Sequence, residues 1–138
     1  MNRYLLDTHA AIWFFEYNAA LSSAAERIIR DGTNLIYLSI ASAWELTIKI
    51  SIGKLSFPGD AAGFLQIAHN NGITIIPIEI SHLTTLKDLP FNHRDPFDRL
   101  LIATAIAEQM TLITIDENIA NTMFQKSGNF LLCCSLSL

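Results

Sequence analysis

"HRDPFDRLLIATAIAEQMTLITID", residues 93–116, decides how the chain is read. Its middle is a long apolar run that suits a buried helix over 96–109, and "TLITID" (111–116) is β-branched and reads as a strand. The start is a helix-entry signature, with Asp95 as N-cap, Pro96 at the first helical position and Asp98 at the third. A helix that leads back to the beginning of a strand starts near the carboxyl edge of the sheet. Asp95 and Asp98 at the head of the helix and Asp116 at the end of the strand are therefore sent to one edge.

Outward from this stretch, short apolar runs alternate with helical ones. "RYLLD" (3–7), "NLIYLS" (34–39) and "ITIIPI" (73–78) read as strands, and "NFLLCC" offers a final short one. Helices are expected over 8–18, over "AAERIIRDG" behind the capping pattern Ser23-x-x-Glu26, and over 41–55. Further helices are expected over "AAGFLQIAHNNG" with Asp60 as cap and Gly72 as its end, over "HLTTLKDL" with Ser81 as cap, and over "ENIANTMFQKSG". Strands separated by helices imply an α/β fold with a parallel sheet of four to five strands covered on both faces. In such sheets ligands bind outside the carboxyl ends of the strands.

The length of 138 residues suits one domain over 1–138 with a single core. At 51% hydrophobic and 16% charged, the chain has either an unusually complete core or apolar surface that meets a partner. No apolar run approaches the roughly 18 residues of a membrane span. "AAIWFF" (10–15) lies between Asp7, His9 and Glu16, so it belongs to the fold rather than to a leader, and the expected location is the cytoplasm. Cys133 and Cys134 are adjacent and form neither a disulfide framework nor a metal-type spacing. A net charge of −4 argues against a broadly basic nucleic-acid binder, but not against a site that meets phosphate through metal ions.

Five acids from distant segments converge under this topology. Asp7 ends the first strand, Glu45 lies early in the helix after the second, Asp95 and Asp98 open the helix 96–109, and Asp116 ends its strand. Each has a local explanation as a helix cap, with Ser42-x-x-Glu45 matching a capping box. Capping does not account for the apolar surroundings of "LLDTHAAIWFF" and "LITIDENIA". Partly buried carboxylates that face one another repel by several kcal/mol at a protein-like dielectric. No lysine lies in those two segments, and Arg99 is the nearest arginine. A hard divalent cation, Mg²⁺ or Mn²⁺, is the natural compensator, and in a carboxylate cluster it activates water for phosphodiester cleavage. Asp95 as cap and Asp98 as ligand are compatible roles.

"LLDTHAAIWFF", "SIASAWELTIKISIGKL", "HRDPFDRLLIATA" and "LITIDENI" together resemble the PIN-domain ribonucleases, and among them most closely the VapC-type toxins of toxin–antitoxin pairs. The resemblance spans residues 3 to about 120 in order. It implies a three-layer α/β/α PIN-like domain, Mg²⁺- or Mn²⁺-dependent endoribonuclease activity, homodimerisation and neutralisation by a small antitoxin protein. It places the catalytic and metal-binding acids at Asp7, Glu45, Asp98 and Asp116, with Asp95 as a further ligand from the "DPFD" variant of the third motif. Thr8, the hydroxyl after the first acid, and Thr114, two residues before the fourth, are expected to support the site. His93, Arg94 and Arg99 flank the cluster as candidates for RNA phosphate, and Arg99 is better suited to pair with a nearby acid. His9, His69 and His82 read as packing or surface residues, and Trp13, Phe14 and Phe15 as core. The ending "NFLLCCSLSL" departs from the proline- and tryptophan-bearing strand that such toxins often carry.

Other readings fit less well. A haloacid-dehalogenase-type phosphatase needs a second aspartate two residues after Asp7, where this chain has His9. A response-regulator receiver needs adjacent acids after its first strand and a lysine at a late strand end, and neither "LLDTH" nor "LITID" supplies them. A catalytically silent metal-binding or protein-interaction module on the same fold is the remaining alternative.

Overall fold

Leu5 and Leu6 are both fully buried although adjacent, so their strand is covered on both faces. The structure, a computed structural model, describes residues 2–90, 95–119 and 130–132. Along the chain run β1 (Arg3–Leu6), α1 (Thr8–Phe15), α2 (Ser23–Arg30), β2 (Leu35–Ser39), α3 (Ile40–Ser51) and α4 (Asp60–Asn70). Then follow β3 (Thr74–Ile76), α5 (Ile80–Lys87), α6 (Pro96–Glu108), β4 (Thr111–Thr114) and β5 (Phe130–Leu132). The sheet order is β3-β2-β1-β4-β5, and every neighbouring pair is parallel. Residues 117–119 are helical; the rest of the expected last helix and the cysteines at 133 and 134 lie outside the described residues.

Strand alternation divides the interior into two layers. Leu6, Ile36, Leu38 and Ile113 pack with Phe14, Phe15, Leu46 and Phe64 of α1, α3 and α4. Leu5 and Leu112 face the other way, onto Leu101, Ile102 and Ala105 of α6. This is the three-layer α/β/α arrangement. Phe15, Phe57 and Phe64 meet edge to face, with centroids 5.3 to 6.5 Å apart, and fill the gap between α1 and α4. Trp13 lies half-buried against the same cluster.

α5 and α6 form an antiparallel hairpin. His82 near the start of α5 meets Glu108 at the end of α6, while Leu86 and Leu89 at the other end meet Arg99. No helix of the described residues is long and apolar enough to cross a membrane.

Several caps differ from expectation. Ser22, not Ser23, caps α2 by accepting from the Ala25 amide. Gly59, with φ 74°, precedes α4, so Asp60 is its first residue rather than its cap. α5 starts at Ile80, ahead of Ser81, and the His82 ring Nδ1 accepts from the Glu79 amide, 3.1 Å away. α3 starts at Ile40 with Ser39 as cap, so Ser42 and Glu45 lie inside the helix and their capping-box match is not used. In each case the chain enters the helix one to three residues earlier than the spacing suggests, or through glycine geometry that no side chain signals.

Candidate active site

β1 lies between β2 and β4, and the chain winds outward from it in both directions. The β1/β4 boundary is thus the topological switch point of the sheet, where adjacent connections part and leave a crevice at the carboxyl edge. A cleft of about 540 Å³ opens there, lined by Asp7, Thr8, Glu45, Lys49, Asp95, Asp98, Asp116 and Glu117, with His9, Ile115 and Ile119 beside them. All five acids singled out in the sequence line this one cleft.

Asp7 is 3% exposed. Its Oδ1 caps α1 by accepting from the Ala10 amide at 2.6 Å. Its Oδ2 accepts from the Thr114 hydroxyl at 2.5 Å and from the Ile115 amide at 3.2 Å. Thr114 also accepts from the Asp116 amide at 3.0 Å, so one buried hydroxyl ties the end of β1 to the turn after β4. The Asp116 carboxylate in turn accepts from the Asn118 amide at 2.8 Å, which starts the helical turn 117–119.

Glu45 is as deeply buried as Asp7. Its Oε1 accepts from the Thr8 hydroxyl at 2.6 Å, and its Oε2 meets the Lys49 ammonium at 2.7 Å. Thr8 Oγ1 is also 2.9 Å from Ser42 Oγ. Thr8 has one proton and gives it to the carboxylate, so Ser42 is the donor in that second contact. Across the cleft, Asp95 Oδ1 accepts from the amides of Phe97 and Asp98 at 2.8 and 3.3 Å and caps α6, with Pro96 at the first position. That cap is the one expected from the sequence.

Ligand oxygens of Glu45, Asp95 and Asp98 all lie within 4.8 Å of one another, a spacing at which two ionised carboxylates repel by roughly 3 kcal/mol at an effective dielectric near 20. Asp98 registers this. Burial first, then the charges of Asp95, Glu45, Asp7 and Asp116, push its carboxyl up to about 8. Burial also pushes Asp7 above the ordinary carboxylate range, against the stabilising hydrogen bonds from Thr114, Ala10 and Ile115 and the nearby His9. An all-oxygen donor set with excess negative charge fits a hard divalent cation. Among the described residues, the acids whose oxygens lie within 4.8 Å of one another include Asp95 beside Glu45 and Asp98.

Five residues depart from the sequence reading. Arg99 is buried, and its guanidinium donates to the carbonyls of Pro90, Leu86 and Leu89 at 2.8, 3.3 and 3.4 Å. It braces the α5–α6 connection, and its burial is at odds with a phosphate contact. His82 is 1% exposed rather than on the surface; with Nδ1 accepting a backbone proton, Nε2 carries the hydrogen and donates to Glu108 at 2.9 Å. Lys49 was overlooked, although Glu45-x-x-x-Lys49 is a helical i,i+4 pair visible in the sequence. Ser42 and Glu117 were likewise missed: Ser42 was read as a cap, and Glu117 is one more acid on a turn. His93 and Arg94 lie outside the described residues.

No curated protein matches the chain by sequence. Solved structures resemble it in fold. VapBC2 from Rickettsia felis, bound to a DNA fragment from its promoter, superposes with a TM-score of 0.71 at 18% identity, covering 95% of this chain and 98% of that one. VapBC-1 from nontypeable Haemophilus influenzae gives 0.67 at 13% identity over 94% and 97%. VapBC-5 from Mycobacterium tuberculosis, a member of the VapBC family of toxin–antitoxin systems, gives 0.60 at 15% over 98% and 100%. The sequence profile of the PIN domain matches residues 4–125, and the chain therefore belongs to the PIN domain family.

Proposed function

We propose that the chain is a Mg²⁺- or Mn²⁺-dependent endoribonuclease, the toxin of a toxin–antitoxin pair, that hydrolyses RNA phosphodiester bonds with water. The observation that carries this reading is the convergence of five acids from four segments on one cleft, with Glu45, Asp95 and Asp98 close enough to share an ion. A cation held there supplies a water of lowered pKa and offsets charge on the departing oxygen. Asp98, Glu45 and Asp95 would hold such an ion, with Asp7 and Asp116, which line the same cleft, in support. Thr114 holds Asp7 and the turn at Asp116 in register, while Thr8 and Ser42 hold Glu45. Water is the nucleophile because the one hydroxyl side chain lining the cleft among the described residues, Thr8, is committed to Glu45.

Binding partners follow from the same reading. Ile40, Trp44 and Ile48 of α3, with Ile52 capping its end, recur every fourth residue and remain exposed, Trp44 at 57% and Ile52 at 58%, with Phe97 edge-on to Trp44 at 4.9 Å. An uncovered apolar stripe of this length supports a second protein surface there, which we assign to a homodimer. The fold shared with VapBC complexes supports a cognate antitoxin as a further partner.

The test is cleavage of RNA by the purified chain with Mn²⁺ or Mg²⁺. Activity is expected to vanish in EDTA and in Asp98→Asn, with circular dichroism unchanged in the variant. Cleavage that survives either treatment refutes the assignment; Mn²⁺ binding with no turnover of any RNA supports the silent-module alternative.

A further inference from the structure

Both carboxylate oxygens of Glu45 are met by side chains of the chain itself. Thr8, backed by Ser42, meets Oε1 at 2.6 Å, and Lys49 meets Oε2 at 2.7 Å. The two contacts differ in kind. Thr8 is neutral and buried, whereas Lys49 is a full positive charge whose side chain keeps 30% of its surface exposed at the rim of the cleft. An exposed i,i+4 pair on a helix contributes little. Here the acid partner is 3% exposed and lies with Asp95 and Asp98, so the ammonium sits beside a cluster of carboxylates rather than a single exposed one. A divalent ion in the Glu45–Asp95–Asp98 group would share a ligand with that ammonium and be repelled by it.

We infer that Lys49 is a positioning residue and the resident counter-cation of the ion-free site: it aims the Glu45 carboxylate into the cleft and weakens the hold of the divalent ion that competes for it. The inference rests on the metal-dependent reading above. One turn of helix separates the two side chains, so the ammonium stays tethered beside Glu45 whether or not the ion is present. Lys49 thereby holds the acids together when ions are scarce and keeps ion occupancy responsive to concentration.

Isothermal calorimetry with Mn²⁺ and thermal unfolding in EDTA, on the wild type, Lys49→Met and Lys49→Arg, test this. Lys49→Met keeps the apolar stem and removes the charge. It is expected to bind Mn²⁺ about tenfold more tightly, the factor that one partly screened charge is worth. It is also expected to melt lower than the wild type in EDTA, with the difference shrinking under saturating Mn²⁺. Lys49→Arg, which retains the charge, is expected to restore wild-type behaviour in both measurements. A purely structural lysine would lower the melting temperature equally with and without Mn²⁺ and leave the affinity unmoved. Wild-type Mn²⁺ binding that Lys49→Met leaves unchanged or weakens overturns the inference alone. Absence of Mn²⁺ binding in both proteins overturns the metal-dependent reading and the inference with it.

Discussion

At Asp98 burial and like charge act in the same direction, and the carboxyl is carried from 3.8 up to about 8. The folded chain therefore holds a proton between about pH 4 and 8 that the unfolded chain has released. With more protons bound to the native state, stability falls as pH rises through this window. Asp7, raised by burial, adds to the same slope. In EDTA the urea midpoint is expected to be higher at pH 5 than at pH 8, and Asp98→Asn is expected to flatten the dependence. A wild-type midpoint that rises over that range contradicts the charge distribution described here. The convergence of these acids was legible in the sequence because strand ends and helix starts map to edges. The depth of Asp7 and Glu45, and the hydroxyls that meet them, were not.

Among the elements, α6 combines two demands at its first turn. Asp95 satisfies the amides of Phe97 and Asp98, and its negative charge also bears on Asp98. These roles separate chemically. Asp95→Asn keeps an acceptor for the amides and removes the charge, whereas Asp95→Ala removes both. Loss of an N-cap costs about 0.5–2 kcal/mol. Urea unfolding in EDTA is expected to show Asp95→Asn at or above wild-type stability and Asp95→Ala roughly 1 kcal/mol below Asp95→Asn. Equal stability of the two variants would mean that the cap contributes nothing. The start of α6 was readable because Asp-Pro-x-Asp is a local signal. The starts of α3 and α4 were misplaced because the Ser39 hydroxyl caps α3 where Ser42 offers the same local signal, and because Gly59 acts through backbone geometry that no side chain marks.

For the molecule as a whole, the cleft gathers negative charge in a protein whose net charge is already −4, and the substrate we propose is a polyanion. Divalent ions are then expected to act on the entire fold, since on the proposed reading they would bind the assembled acids and not the separated ones. Stabilisation by a ligand grows as RT ln(1 + [L]/Kd), or about 2.7 kcal/mol at a hundredfold excess over Kd. Melting temperature is expected to climb with Mn²⁺ and to return to the ion-free value on adding EDTA, whereas Na⁺ at equal ionic strength should reproduce little of the gain. A melting temperature indifferent to Mn²⁺ would count against a shared ion site.

Periodicity and end signals in the sequence determined the parallel α/β architecture, the helix and strand order, and the edge at which Asp7, Glu45, Asp95, Asp98 and Asp116 would meet. Those properties are local or topological, and each is written within a few residues. Tertiary structure alone decided that β1 and β4 lie side by side at the switch point, that Arg99 turns inward to the carbonyls of the α5–α6 connection, and that Thr114 bridges Asp7 to the amide of Asp116. Those outcomes depend on which distant groups need a partner once water is excluded, and a linear pattern of residues does not encode that demand.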